Sequence, residues 1–179
     1  SGHGALLADS GQGETAEFGK TIKQKSDDLV ELSEKARKLE QTARRAAEPT
    51  RVDPGSLLTS VIESYRDDYP ETTFDVSVQT DRDIYAGREI EDAVSELIEN
   101  AVKHNTAAEP RVTVSVRDEG ESVILTVTDT GRGIDEMEAN VVSNGEETPL
   151  EHGSGLGLWL VNWIVTRYGG SFQIEGDDG

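Results

Sequence analysis

Residues 14–47 carry one rhythm. Phe18, Ile22, Lys25, Leu29, Leu32, Ala36, Leu39, Ala43 and Ala46 recur at alternating spacings of four and three, and all but Lys25 are apolar. That heptad pattern buries one stripe of a long, coiled-coil-like helix against partner helices. Lys20, Lys23, Asp27, Asp28, Glu31, Glu34, Lys35 and Arg37 fall on its other faces, as solvated positions would. Pro49 and Pro54 interrupt the pattern. Asp53-Pro54 then reads as the start of a second helix, with Asp53 as N-cap and Pro54 at the first helical position. Leu57, Leu58, Val61, Ile62 and Tyr65 share one face of that helix, which ends near Tyr69-Pro70.

Beyond it the period changes from helical to alternating. Residues 73–78 predict a strand, and residues 83–86 a second, short one. Gly87 opens a helix from about Arg88 to His104, with Ile90, Ala93, Val94, Leu97, Ile98 and Ala101 at helical spacing. Residues 111–116 and 122–128 predict a hairpin turning through Asp118-Glu119-Gly120. No period is clear over 134–152. A last helix is expected over about 155–168, and a final strand over 171–175. Helices and strands mix without regular βαβ alternation. The expected fold is therefore an α/β sandwich, one mixed sheet with helices on one face, preceded by the long helix. The expected boundaries are 1–50 for the tag remnant and the long helix and 51–179 for the globular domain. Ser1-Gly2-His3-Gly4 reads as the remnant of an expression tag.

Composition narrows the function. The 179 residues hold 17 Lys plus Arg against 36 Asp plus Glu, giving a formal charge of 17 − 36 = −19. Such a chain repels nucleic acid and anionic lipid. The acids are scattered along the chain, which favours a surface adapted to high salt over a docking face for a basic partner. There is no cysteine, so no disulfide or thiolate chemistry. No apolar run approaches the roughly 20 residues needed to span a bilayer. A cytoplasmic setting is expected, with membrane attachment only through regions outside this sequence.

Three stretches carry candidate chemistry. Glu96, Asn100, Lys103 and His104 stand at i, i+4, i+7 and i+8, along one stripe of a helix. A carboxylate, an amide oxygen and an ammonium in that arrangement suit a magnesium–phosphate group, the oxygens for the hard cation and the lysine for phosphate. Asp129-Thr130-Gly131-Arg132-Gly133 follows a β-branched strand. A carboxylate there can accept a hydrogen bond from an exocyclic amine such as adenine N6, and the glycines let backbone approach a flat ligand. Gly153-Ser154-Gly155-Leu156-Gly157-Leu158 leads into a helix whose first N–H groups and dipole favour phosphate. This last stretch follows a polar loop instead of a strand, which excludes a dinucleotide fingerprint. No Gly-Lys-Ser/Thr follows it, which excludes a P-loop.

In this order the three stretches resemble the GHKL ATPase superfamily, most closely its histidine-kinase branch. Residues 96–104 resemble its N box, 129–133 its first glycine box and 153–158 its second. The resemblance covers about residues 56–175 and implies the Bergerat two-layer α/β sandwich, with ATP and Mg2+ as ligands. It implies that Asp129 takes the adenine amine, that Gly131 and Gly133 shape the base pocket, and that Asn100 ligates magnesium. Lys103 and His104 are placed beside the phosphates and ribose. Gly153, Gly155, Leu156 and Gly157 line the phosphates, and 134–152 form an ATP lid expected to be the least stable part of the domain.

The heptad helix resembles the second helix of the family's dimerisation and phosphotransfer domain. This implies a homodimer in the full-length protein and a response-regulator receiver domain as partner. No phosphoacceptor box is present: His3 lies between glycines, while His104 and His152 belong to the N box and the lid. The fragment is therefore expected to bind ATP without phosphorylating itself. Glu96 stands where many histidine kinases have Asn. In the ATP-hydrolysing branches it is the general base; here a magnesium role is preferred, because a kinase gains nothing from hydrolysing ATP. The alternatives are a GHKL ATPase with Glu96 as base, and a non-enzymatic dimerisation scaffold.

Overall fold

The computed structural model describes residues 48–133 and 154–175, together with the helical positions 21–23, 25, 26, 29, 30, 33, 37 and 40. The rest of the predicted 14–47 helix, the lid over 134–152, Gly153 and the side chain of Ser154 lie outside the described residues, and Gly155 is described only as helical backbone. The element order is β1 (Thr50–Val52), α1 (Pro54–Asp68), β2 (Thr73–Gln79), β3 (Ile84–Ala86), α2 (Ile90–Lys103), β4 (Arg111–Glu119), β5 (Ser122–Asp129) and α3 (Ser154–Arg167).

The local signals act as the chemistry requires. Asp53 is extended, and its carboxylate accepts the Ser56 N–H at 2.8 Å and the Ser56 hydroxyl at 2.7 Å, while Pro54 enters the first turn of α1. These bonds satisfy a donor that every helix start otherwise leaves open. They also hold the Asp53 carboxyl below its usual pKa of 3.8. α2 has Glu91 and Asp92 in its first turn and Lys103 in its last, the polarity that suits the helix dipole.

β2, β4 and β5 form a mixed sheet in the order β2-β4-β5, with β2 parallel to β4 and β4 antiparallel to β5. β4 is the middle strand, and its Val112, Val114 and Val116 are fully buried. Leu57, Leu58, Val61 and Ile62 of α1 and Val94, Ile98, Ala101 and Val102 of α2 pack over that face with Phe74 of β2. α3 joins through a second cluster, in which Ala93 of α2 meets Leu160, Val161 and Ile164. The two-layer α/β sandwich with its mixed sheet is as expected.

Three details differ from the sequence reading. β1 was not expected; it pairs antiparallel with β3, Arg51 opposite Tyr85, and the pair forms a separate two-stranded ribbon beside the main sheet. The strand expected over 171–175 belongs to neither sheet, although its burial alternates between exposed and half-buried as a strand's would. Phe172 instead packs on the α2–α3 cluster, so the alternation is used for burial, with no partner strand among the described residues to supply ladder bonds. The hairpin strands are also longer than expected, running to Glu119 and from Ser122 to Asp129, and the turn centres on Gly120 at φ 60°.

Candidate functional site

α2 organises the site because its successive turns rise from the core to the surface. Glu96 is 3% exposed, Asn100 is half-buried, and Lys103 and His104 are exposed. A carboxylate that far inside costs desolvation unless the surroundings answer it. The Asn100 side-chain nitrogen is buried with no hydrogen-bond partner among the described residues. Buried amides are nearly always satisfied, so an orphan of this kind marks a place where a ligand group or water completes the bonding.

α3 closes over the same two residues. A Cβ at Gly157 would lie 2.6 Å from Glu96 Oε2 and 3.7 Å from Asn100 Nδ2. Only glycine allows the first turn of α3 to sit this close to the Glu96 carboxylate. Leu156 and Leu158 flank it, half-buried and buried. The third glycine of the predicted phosphate segment therefore lies directly against the predicted N-box stripe, although the two are separated by more than fifty residues of chain.

The other end of α2 meets the end of β5. The Gly131 N–H donates to Asp129 Oδ1 at 2.7 Å, which turns the chain immediately after the strand. A Cβ at Gly131 would lie 2.7 Å from that oxygen, 3.2 Å from the Asn105 Cα and 3.3 Å from the His104 carbonyl. Thr130 fixes the junction: its N–H donates to the Arg111 carbonyl at 3.1 Å, and its hydroxyl accepts the Arg111 N–H at 3.1 Å. The Asn105 amide nitrogen donates to the same hydroxyl and to the Arg111 carbonyl, both at 3.3 Å. Gly133 follows at φ 74°, a left-handed backbone that suits glycine.

The expected residues thus gather along one helix: Glu96, Asn100 and Gly157 in one group, His104, Asp129 and Gly131 in the other. Lys103 forms an ion pair with Glu99, one turn back and in the favourable orientation. Gly153 lies outside the described residues, and Gly155 is described only as helical backbone. Asn105 and Thr130 were missed as contributors. Their signal was faint: an Asn just past a helix end and a Thr between Asp and Gly, both types that bond to nearby backbone.

The donor set fits magnesium in one limited sense. No group of three or more His, Cys, Asp or Glu that could hold a metal ion occurs among the described residues. Asn100 and Glu96 offer oxygens, and a magnesium ion held by one or two protein oxygens takes its remaining ligands from phosphate and water. An open depression of about 460 Å³ lined by Glu71, Thr73, Asn105, Ala107, Ala108, Glu109 and Pro110 shares only Asn105 with this site and presents solvated carboxylates, so it is not assigned to the chemistry.

The sequence pattern of the histidine kinase-, DNA gyrase B- and HSP90-like ATPases matches residues 86–179. The chain belongs to this family. Its relatives within the family include the nitrogen regulation protein NtrY of Azorhizobium caulinodans, 25% identical over 130 residues, or 69% of this chain. The methanogenesis regulatory histidine kinase FilI of Methanothrix harundinacea is 31% identical over 93 residues, or 50% of this chain. This chain spans 17% and 10% of those two relatives' own lengths. Among solved structures, the ATP-binding domain of PrrB from Mycobacterium tuberculosis superposes with a TM-score of 0.56 at 27% identity, covering 74% of this chain and 90% of that one.

Proposed function

We propose that this chain is the catalytic ATP-binding region of a two-component sensor histidine kinase, transferring the γ-phosphoryl group of ATP to a histidine other than the three in this sequence. One observation carries the reading. Among the described residues, α2 and the two positions that follow it lie against both glycine segments, with Gly157 over Glu96 and Asn100 and with Gly131 beside His104 and Asn105. One elongated ligand along that helix would meet a base-recognising carboxylate at one end and a phosphate-binding helix start at the other.

In this reading Asp129 accepts the adenine amine. Its exposed carboxylate is held in place by the Gly131 N–H. The first turn of α3 turns its N–H groups and positive dipole end toward the phosphates. Asn100 presents its amide beneath them, and Lys103 reaches them from its pair with Glu99. Magnesium, held by Asn100 and Glu96, would neutralise phosphate charge. Phosphoryl transfer of this kind rests on position and charge more than on covalent help from the protein.

Glu96 favours a second reading. A carboxylate 3% exposed beneath the phosphate-facing turn is also where a general base for ATP hydrolysis would stand. The histidine-kinase relative FilI favours the phosphotransfer reading over hydrolysis and over a scaffold without chemistry. The exposed Ile22 and Leu29, both 66% accessible, support a homodimer formed through the N-terminal helix, with a receiver domain as the next acceptor. No helix among the described residues is long and apolar enough to cross a membrane. We assign the ATP-dependent step to the cytoplasm.

The test is to mix the chain with Mg·ATP and a separately made two-helix bundle bearing a phosphoacceptor histidine. Acid-labile phosphate on the bundle is expected. Release of free phosphate alone, lost in Glu96→Gln, would establish the hydrolytic reading instead.

A further inference from the structure

A second buried carboxylate lies outside the site. Glu89 is 5% exposed, immediately before α2. It accepts the Tyr168 hydroxyl, and the Arg167 Nε is 3.9 Å from the same oxygen. Arg167 in turn lies over the Trp163 ring, 5.5 Å from its centroid. A Cβ at Gly87 would collide with both the Tyr168 hydroxyl and the Glu89 carboxylate. Burial first, then the hydrogen bond to Glu89 and its charge, raise the Tyr168 phenol above its usual pKa of 10.0, so the hydroxyl remains a donor at neutral pH. Three segments meet here: the end of β3, the start of α2 and the end of α3.

We propose that Glu89 and Tyr168 are positioning residues, fastening the far end of α3 so that its first turn is held over Glu96 and Asn100. The inference rests on the nucleotide-binding reading above. α3 packs chiefly on α2, through Ala93, Leu160, Val161 and Ile164. Apolar contact of this kind is non-directional and does not by itself set how far one helix is slid along another. A hydrogen bond to a buried carboxylate is directional and among the strong ones. Gly157 and Arg167 are ten residues apart in α3, about 15 Å along a rigid helix axis, so fixing one end sets the position of the other. A Cβ at Gly157 would come within 2.6 Å of Glu96 Oε2, so the first turn of α3 lies close against α2.

The consequence is selective. The adenine end, at Asp129, Gly131 and Asn105, belongs to β5 and the end of α2 and has no share in this fastening. Loss of the Glu89–Tyr168 bond therefore weakens phosphate binding and spares the base.

The experiment measures adenosine and Mg·ATP binding to the whole chain by calorimetry. Tyr168→Phe keeps the ring and removes the donor, and Glu89→Leu removes the acceptor should the first variant not fold. Glu89→Gln keeps an acceptor oxygen. Either of the first two is expected to weaken Mg·ATP about tenfold, equivalent to about 1.4 kcal/mol, with adenosine unchanged, and Glu89→Gln is expected to bind as wild type. Equal weakening of adenosine and ATP, or a Glu89→Gln variant as impaired as Glu89→Leu, overturns the positioning role. A wild-type chain that takes neither ligand overturns the nucleotide reading and this inference with it. A wild type that takes both, beside an unchanged Tyr168→Phe, overturns the positioning role alone.

Discussion

Replacing Gly157 by Ala separates what the α2–α3 contact does for stability from what it does for ligands. Two effects oppose each other in the free protein. Gly157 is the fourth residue of α3, and Ala at an interior helix position is worth about 1 kcal/mol over Gly. The new methyl would, however, lie 2.6 Å from Glu96 Oε2, where ordinary contact begins at 3.4 Å, so the carboxylate or the helix must give by about 0.8 Å. Glu96 is 3% exposed and has little room to retreat. Overpacking of this kind costs about 1–3 kcal/mol, so the net effect is a destabilisation between about zero and 2 kcal/mol. Binding should suffer more. The methyl stands over Asn100, where the proposed function puts the phosphates, and the loss of Mg·ATP affinity should be at least about tenfold. Urea unfolding followed by circular dichroism reads the first quantity and calorimetric titration the second. A variant stabilised by the full helix-propensity gain, with ATP affinity intact, would refute the close approach of α3 to the N-box stripe.

Asp129→Asn should abolish nucleotide binding and leave the urea midpoint near wild type, because the amide oxygen can still accept the Gly131 N–H; normal ATP affinity in the variant would show that the adenine is misplaced. Ile98→Ala, at a fully buried position facing β4, should cost about 2–5 kcal/mol in the same unfolding assay, and a cost under about 1 kcal/mol would contradict its place in the core. Asp53 contributes stability above its unfolded pKa, and that contribution is lost as pH falls through its lowered folded value. Asp53→Asn, an equally good cap that does not titrate, should therefore lose less stability than wild type as the pH drops below about 4; parallel acid curves would contradict the capping bond.

Much of this architecture was legible because local and tertiary signals agree. Asp53-Pro54 marks the start of α1 in both sequence and structure. The helical spacing of Val94, Ile98 and Ala101 is the face that meets the sheet. The site stripe was legible for the same reason, since i, i+4 spacing is geometry. What escaped depends on partners distant in sequence. β1 has three residues between two prolines, too few for alternation to register, and exists by pairing with β3. Phe172 and Ile174 have a strand's pattern, but pattern specifies burial and leaves the hydrogen-bond partner open. Glu89 and Tyr168 lie 79 positions apart, and nothing local distinguishes Glu89 from a solvated acid at a helix start. Lys103 was read for its charge toward phosphate, while its pairing with Glu99 follows from a spacing equally visible in the sequence.

The most direct test is a crystal structure of this chain with Mg2+ and a non-hydrolysable ATP analogue. The account predicts one nucleotide along α2, its adenine amine on Asp129 and its phosphates between Asn100 and the first turn of α3. A nucleotide bound elsewhere, or one that touches Asp129 while its phosphates point away from Asn100, would contradict it.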